Sequence, residues 1–191
     1  METKAVKTVR SVLDRDAWIK GAIAILADHG PERLRVEVLA KHLGVTKGSF
    51  YWHFKDRRDL LDAVLEFWKA GRIRDIRKQT QAQPGREVAA LLHTIEVYGS
   101  ARNRKGITIE AAVRDWARRD PQAVAVVEEV DAERLACACR LFLACGLQEK
   151  EAQARSVMLY AYVFGVSLMH CGGFSADLAA LKAWIAERIA R

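Results

Sequence analysis

Val36–Phe54 reads VEVLAKHLGVTKGSFYWHF, two short helical patterns around a single glycine. Helices that cross steeply need a small side chain where they come closest, and Ala40 supplies one. The turn between them needs a residue that tolerates positive φ, which Gly44 provides. Val45 and Phe50 can anchor the second helix, and Thr46 is its expected N-cap. The outward face then carries Lys47, Ser49, Tyr51, Trp52 and His53. A cation, hydrogen-bond donors and aromatics on one short helix are the chemistry of an element laid in the DNA major groove.

The pattern extends in both directions. Ala22–Gly30 (AIAILADHG), Leu39–Ala40, Leu43–Gly44–Val45, Lys47–Lys55 (KGSFYWHFK) and Leu60–Leu61 carry a resemblance that runs from Asp14 to about Trp68. Over that span the chain resembles the N-terminal domain of the tetracycline-repressor (TetR) family of bacterial transcription regulators. One residue departs from it: Arg35 stands where the family has a Ser or Thr cap for the second helix. The cap is weakened, and a cation is set beside the expected phosphate track. Beyond Trp68 the resemblance is one of architecture.

The resemblance implies a sequence-specific DNA-binding transcriptional regulator, a repressor released from a palindromic operator in double-stranded DNA by a small-molecule effector. Its expected DNA-binding residues are Arg35, Lys47, Gly48, Ser49, Tyr51, Trp52, His53, Lys55 and Arg57. Lys47 can donate to guanine, Ser49 suits either base type, and Gly48 allows close backbone approach. Tyr51 matches a tyrosine with which family members contact a phosphate or a thymine methyl, and Arg57 stands at a phosphate-contacting lysine of the family. Trp52 and His53 can also pack beneath the following helix, and Arg58 suits solvent as well as DNA. Lys4, Lys7 and Arg10 form a basic arm. Two rival classes remain at this level, a sequence-neutral architectural DNA binder and a cofactorless helical enzyme.

Charge agrees with a polyanionic partner. The 191 residues carry a formal net charge of +7, and residues 1–60 hold twelve Lys/Arg against eight Asp/Glu, a net +4 from under a third of the chain. The N-terminal METKAVKTVRSVL lacks the apolar core of a signal peptide, so a cytoplasmic location is expected. Half the residues are hydrophobic, enough for a sizeable core.

Punctuation marks helices almost throughout. Asp14 caps a helix running to His29, before Gly30-Pro31; Val36–Leu43 and Lys47–His53 follow; Asp56 and Asp59 open a long fourth helix reaching about Gln79. Further helices are expected at Arg86–Arg102, Ile107–Arg119, Gln122–Ala144, Gln148–Cys171 and Ser175–Ala190. The chain reads as all-α, with about nine helices. Residues 1–55 form the expected helix-turn-helix domain, with arm 1–13, and 56–191 a helical effector-binding and dimerisation domain.

The second half shows no phosphate loop, nucleophile elbow or zinc-protease motif, and no catalytic residue, metal site or cofactor is expected. Cys137 and Cys139, two apart on a helix, diverge by about 200° and cannot share a face. Ser156–Ala176 has no Asp, Glu, Lys or Arg, yet its serines, His170 and Gly172–Gly173 favour a helix buried on both sides over a membrane span. The family resemblance makes the last two helices a homodimer interface, with Leu159, Val163, Val166, Met169, Leu178, Leu181, Trp184 and Ile185 as its candidates. It also implies an effector pocket, for which the large side chains Trp68, His93, Tyr98, Trp116, Phe142, Met158 and Tyr162 are candidates.

Overall fold

The computed structural model describes residues 13–99, 104–169, 171–175 and 177–191. The expected basic arm at Lys4, Lys7 and Arg10 lies outside them. Nine α-helices and no strand occur among the described residues: α1 (Arg15–His29), α2 (Val36–His42), α3 (Lys47–Phe50), α4 (Arg57–Gln79), α5 (Glu87–Gly99), α6 (Arg104–Ala117), α7 (Pro121–Ala144), α8 (Glu149–Leu168) and α9 (Leu178–Ala190). The chain divides into two compact units, Met1–Val64 and Leu65–Arg191. The division falls later than the expected boundary at residue 55, because Leu60, Leu61 and Val64 of α4 are buried side chains of the first unit.

In the first unit, Asp14 caps α1 by accepting from the Ala17 amide at 2.7 Å, and Gly30 closes it by donating to the Leu26 carbonyl at 3.0 Å. The turn after α2 is a Schellman motif. Gly44 has φ 67°, its amide donates to the Lys41 carbonyl at 3.2 Å, and the Val45 amide donates to the Ala40 carbonyl at 2.9 Å. Both bonds satisfy carbonyls that the helix end would otherwise leave open, so the turn is closed by backbone bonds. Trp18, Ile25, Leu26, Leu39, Phe50 and Phe54 build the core. Phe50 stacks on Phe54 with centroids 5.2 Å apart and meets Trp18 edge-on at 5.5 Å. Gly21 marks another close approach: a Cβ there would lie 2.8 Å from Leu43 Cδ2.

Two expectations about the motif change. The helix expected over Lys47–His53 ends at Phe50, and residues 51–53 form a turn. Tighter bonds, Tyr51 amide to Gly48 carbonyl at 3.3 Å and His53 amide to Phe50 carbonyl at 2.9 Å, wind the chain inward so that Phe54 is buried. Thr46 makes no side-chain cap; its carbonyl instead accepts the Ser49 hydroxyl at 2.7 Å.

In the second unit, α7 packs most extensively on α8, with α6 against α7 and α5 against α7, α8 and α9. Leu91, Leu141, Phe142, Leu159, Val163 and Ile189 are among its core side chains. The helix expected over Arg86–Arg102 is Glu87–Gly99, with 100–103 outside the described residues, and α6 starts at Arg104, not Ile107. α8 stops at Leu168 instead of Cys171, and α9 starts at Leu178 instead of Ser175, because the Asp177 carboxylate caps it by accepting from the Ala180 amide at 2.9 Å. No described helix is long and apolar enough to cross a membrane.

Candidate functional site

The face of the first unit that carries α3 is built on side chains the motif itself does not contain. Arg15 of α1 donates Nη1 to the His53 carbonyl at 2.6 Å and Nη2 to Asp59 Oδ1 at 3.1 Å, and its guanidinium lies 4.3 Å over the Phe54 ring. It therefore ties the turn after α3 to the start of α4. Asp56 and Asp59 finish that junction: the Asp59 amide donates to Asp56 Oδ1 at 3.0 Å, and the Lys55 amide donates to Asp59 Oδ2 at 2.9 Å. The Lys55 amide first, and Arg15 with it, hold the Asp59 carboxyl below the usual aspartate value despite some desolvation.

Arg57, expected at a phosphate, is exposed and also braces the fold. Its Nε donates to the Leu34 carbonyl at 2.7 Å and its Nη2 to the Pro31 carbonyl at 2.9 Å, which pins the start of α4 to the loop before α2. Arg58 pairs with Asp62 one turn on, at 2.7 Å. Arg35 is exposed and makes no side-chain cap.

The remaining candidates lie together at one end of the motif. Lys47, Gly48, Tyr51 and Trp52 are exposed, and Ser49 and His53 are half-buried. Lys47 pairs with Glu37 of α2, a partner that the motif reading overlooked; the pairing raises the lysine and lowers the glutamate from their ordinary pKa values. Trp52 is 78% exposed and so does not pack under α4. Tyr51 is also exposed, its ring meeting Phe50 edge-on at 5.2 Å. A folded unit rarely leaves two adjacent large aromatics in water without a partner to cover them. With Lys47, Lys55 and Arg35 on the same short segments, they suit stacking or methyl contact beside a phosphodiester backbone.

The second unit holds an interior network and a cavity beside it. Arg134 is 1% exposed and donates Nη1 and Nη2 to the Glu110 carboxylate at 3.0 and 2.6 Å, Nη1 also to Asp131 at 2.7 Å, and Nε to the Tyr98 hydroxyl at 3.2 Å. Arg114 donates Nε to Glu110 at 2.9 Å and forks onto Asp131 at 2.9 and 2.6 Å. Burial pushes the Asp131 carboxyl up, but these two guanidiniums outweigh it and hold it below the usual aspartate value. Burial likewise disfavours the Arg134 charge, and Glu110 and Tyr98 overcome that, so its pKa is raised. Next to the network is a cavity of about 320 Å³, lined by Tyr98, Ile107, Glu110, Arg114, Phe164 and Leu168 among others.

Of the expected pocket residues, Tyr98 lines this cavity, and Tyr162 lines another of about 550 Å³ with Leu92, Val166 and Lys182. Trp68, Trp116 and Phe142 are buried core. His93 and Met158 are exposed, since the buried stripes Leu91–Thr94–Ile95–Tyr98 and Ala152–Ser156–Leu159–Tyr160–Val163 turn them outward. The expected interface also separates. Leu159 and Val163 belong to the unit's own core, whereas Met169, Leu181 and Trp184 are exposed, together with Leu168 and Phe174. Val166, Leu178 and Ile185 are intermediate. All four cysteines are free, and no cluster of three or more potential metal ligands occurs among the described residues.

Comparison with known proteins adds a family and a fold. Residues 19–64 match the bacterial regulatory proteins of the tetR family. Over 54 residues the chain is 48% identical to the tetracycline repressor protein class C of Escherichia coli, which is 28% of this chain and 25% of that protein. The match thus spans about a quarter of that repressor's length. In three dimensions the chain is similar to a transcriptional regulator from Rhodococcus sp. Rha1, with a TM-score of 0.70 and 17% identity over 93% of this chain and 94% of that one. It is also similar to the transcriptional regulator FadR of Bacillus subtilis, solved in complex with stearoyl-CoA, with a TM-score of 0.59 and 17% identity over 91% and 96% of the two chains.

Proposed function

We propose that this chain, which belongs to the tetR family of bacterial regulatory proteins through its N-terminal unit, is a homodimeric transcriptional repressor that leaves a palindromic DNA operator when a small effector binds its second unit. The observation that carries the proposal is the uncovered Lys47–Trp52 segment, held on a backbone-bonded turn and braced by Arg15. Lys47, Ser49, Tyr51 and Trp52 are the base-facing and stacking groups. Lys55 and Arg35 take phosphates, and Arg57 orients the face. A twofold repressor would set two such segments about 34–36 Å apart, one DNA turn.

The homodimer reading draws on the exposed apolar side chains Leu168, Met169, Phe174, Leu181 and Trp184, which fall at the end of α8, before α9 and along α9. An apolar surface of this kind favours a second copy over water. The effector reading draws on the apolar cavity among α4, α5, α6 and α8 and on FadR, a structural relative solved with a bound ligand. An effector that binds a second conformation better would shift the population away from the DNA-competent one.

Retention of a genomic fragment library by the purified chain at near-physiological salt, followed by sequencing, tests the reading. Enrichment of one palindrome is expected. Uniform retention would favour a sequence-neutral architectural binder and overturn the assignment of Lys47 and Ser49 to base readout.

A further inference from the structure

We infer that the cavity beside Phe164 takes a small, chiefly apolar monocarboxylate, an inference that rests on reading the second unit as effector-binding. Ile107, Ala111, Phe164 and Leu168 give the cavity hydrocarbon walls, so the body of the ligand is apolar. Its volume of about 320 Å³ suits one ring or a short chain.

Three charged side chains reach the cavity: Arg72, Glu110 and Arg114. Glu110 is largely committed within the network. It is 5% exposed, and its oxygens already accept from Arg134 twice and from Arg114 once. Arg72 is the opposite case. A guanidinium carries five N–H donors, and Asp75, at 2.5 Å from Nη2, is the only acceptor on Arg72 among the described residues. The cavity therefore has a cationic end with donors to spare, in apolar surroundings. Ser167 does not change this, because its hydroxyl donates to the Phe164 carbonyl at 2.7 Å.

That arrangement selects by charge. A cationic ligand would face two guanidiniums, Arg72 and Arg114, against one carboxylate already held by Arg114 and Arg134. A neutral apolar ligand would strip water from the Arg72 donors and return no acceptor. A polyanion would crowd Asp75 and Asp131, which already hold these guanidiniums. A single carboxylate supplies two acceptor oxygens in the geometry of the fork, and its apolar remainder fills the space against Phe164.

The test is isothermal titration calorimetry on the full chain with 3-phenylpropanoate, 3-phenylpropanamide and 3-phenylpropylamine. The acid is expected to bind roughly tenfold or more tightly than the amide, and the amine not at all. Arg72→Met should reduce the acid to the affinity of the amide without lowering Tm, while Asp75→Asn should keep the acid's preference. Equal binding of acid and amide, tightest binding of the amine, an undiminished preference in Arg72→Met, or no binding by any of the three would each overturn the assignment. Calorimetry needs no DNA, so the regulator reading is tested apart from it. If the chain shows the acid preference but enriches no DNA sequence, that reading fails and the cavity assignment stands.

Discussion

Arg57 Nε donates to the main-chain oxygen of Leu34 at 2.7 Å, joining the first turn of α4 to the segment that enters α2. A residue whose place in the sequence suggests a phosphate ligand is therefore also a brace of the fold. Arg57→Ala should lower the stability of the first unit by about 1 kcal/mol and weaken all DNA sequences about equally. Arg57→Lys, which cannot reach both carbonyls with a fork, should recover little of either. Urea melts beside binding isotherms check this, and full rescue by lysine would reduce the role of Arg57 to charge.

Trp52 and Lys47 should separate binding from folding. Trp52 is largely in water, so Trp52→Ala should change stability by less than about 0.5 kcal/mol yet weaken DNA binding. Lys47→Ala should change which sequence is preferred, and Glu37→Gln, which frees the lysine, should raise affinity for all sequences at low salt. Identical sequence preferences in wild type and Lys47→Ala would remove that lysine from base readout.

The Arg134–Glu110 pair is buried on both sides. Arg134→Ala leaves the glutamate with Arg114 alone and should cost about 3–5 kcal/mol. Replacing both, as Arg134→Met with Glu110→Leu, should recover much of that loss. Thermal denaturation of the single and double variants checks the coupling, and additive effects would contradict it.

Acid should weaken both units through carboxylates. Asp59 and Asp131 have folded-state pKa values below the ordinary aspartate value of about 3.9. Each contributes stability that is fully present above that value and is lost as pH falls through the lower, folded-state one. Asp59→Asn should therefore destabilise the chain near neutral pH and make little difference near about pH 2. Urea melts across that range measure it; an equal loss at both ends would mean the effect is not electrostatic.

Trp184 is 59% exposed on α9. In the proposed homodimer, Trp184→Glu should leave the second unit folded and shift the sedimentation coefficient from dimer to monomer. An unchanged dimer would move the interface away from this helix.

The recognition motif was legible because its signals are local. Gly44 is required by a left-handed backbone and Asp14 by an open helix end, while the exposed Tyr51–Trp52 pair follows from residues adjacent in the chain. What supports the motif was not legible. Arg15 reaches His53 and Asp59 from thirty-eight and forty-four residues away, and no spacing rule announces such a bond. The bracing role of Arg57 was hidden too, because its carbonyl partners lie in another segment.

The second unit shows the same division more sharply. Its helical class, and helix ends to within a few residues, follow from periodicity, proline, glycine and capping aspartates, all short-range effects. The pocket and interface residues depended on helix phase. A rotation of one residue, about 100°, exposes Met158 and buries Leu159, and both are apolar in sequence. The sequence alone therefore determined an all-helical chain with a helix-turn-helix at Val36–Phe54. Only the tertiary structure decided which side of each helix faces the core, which arginines brace the fold, and where a cationic end opens into a cavity, because each depends on burial shared between segments far apart in the chain.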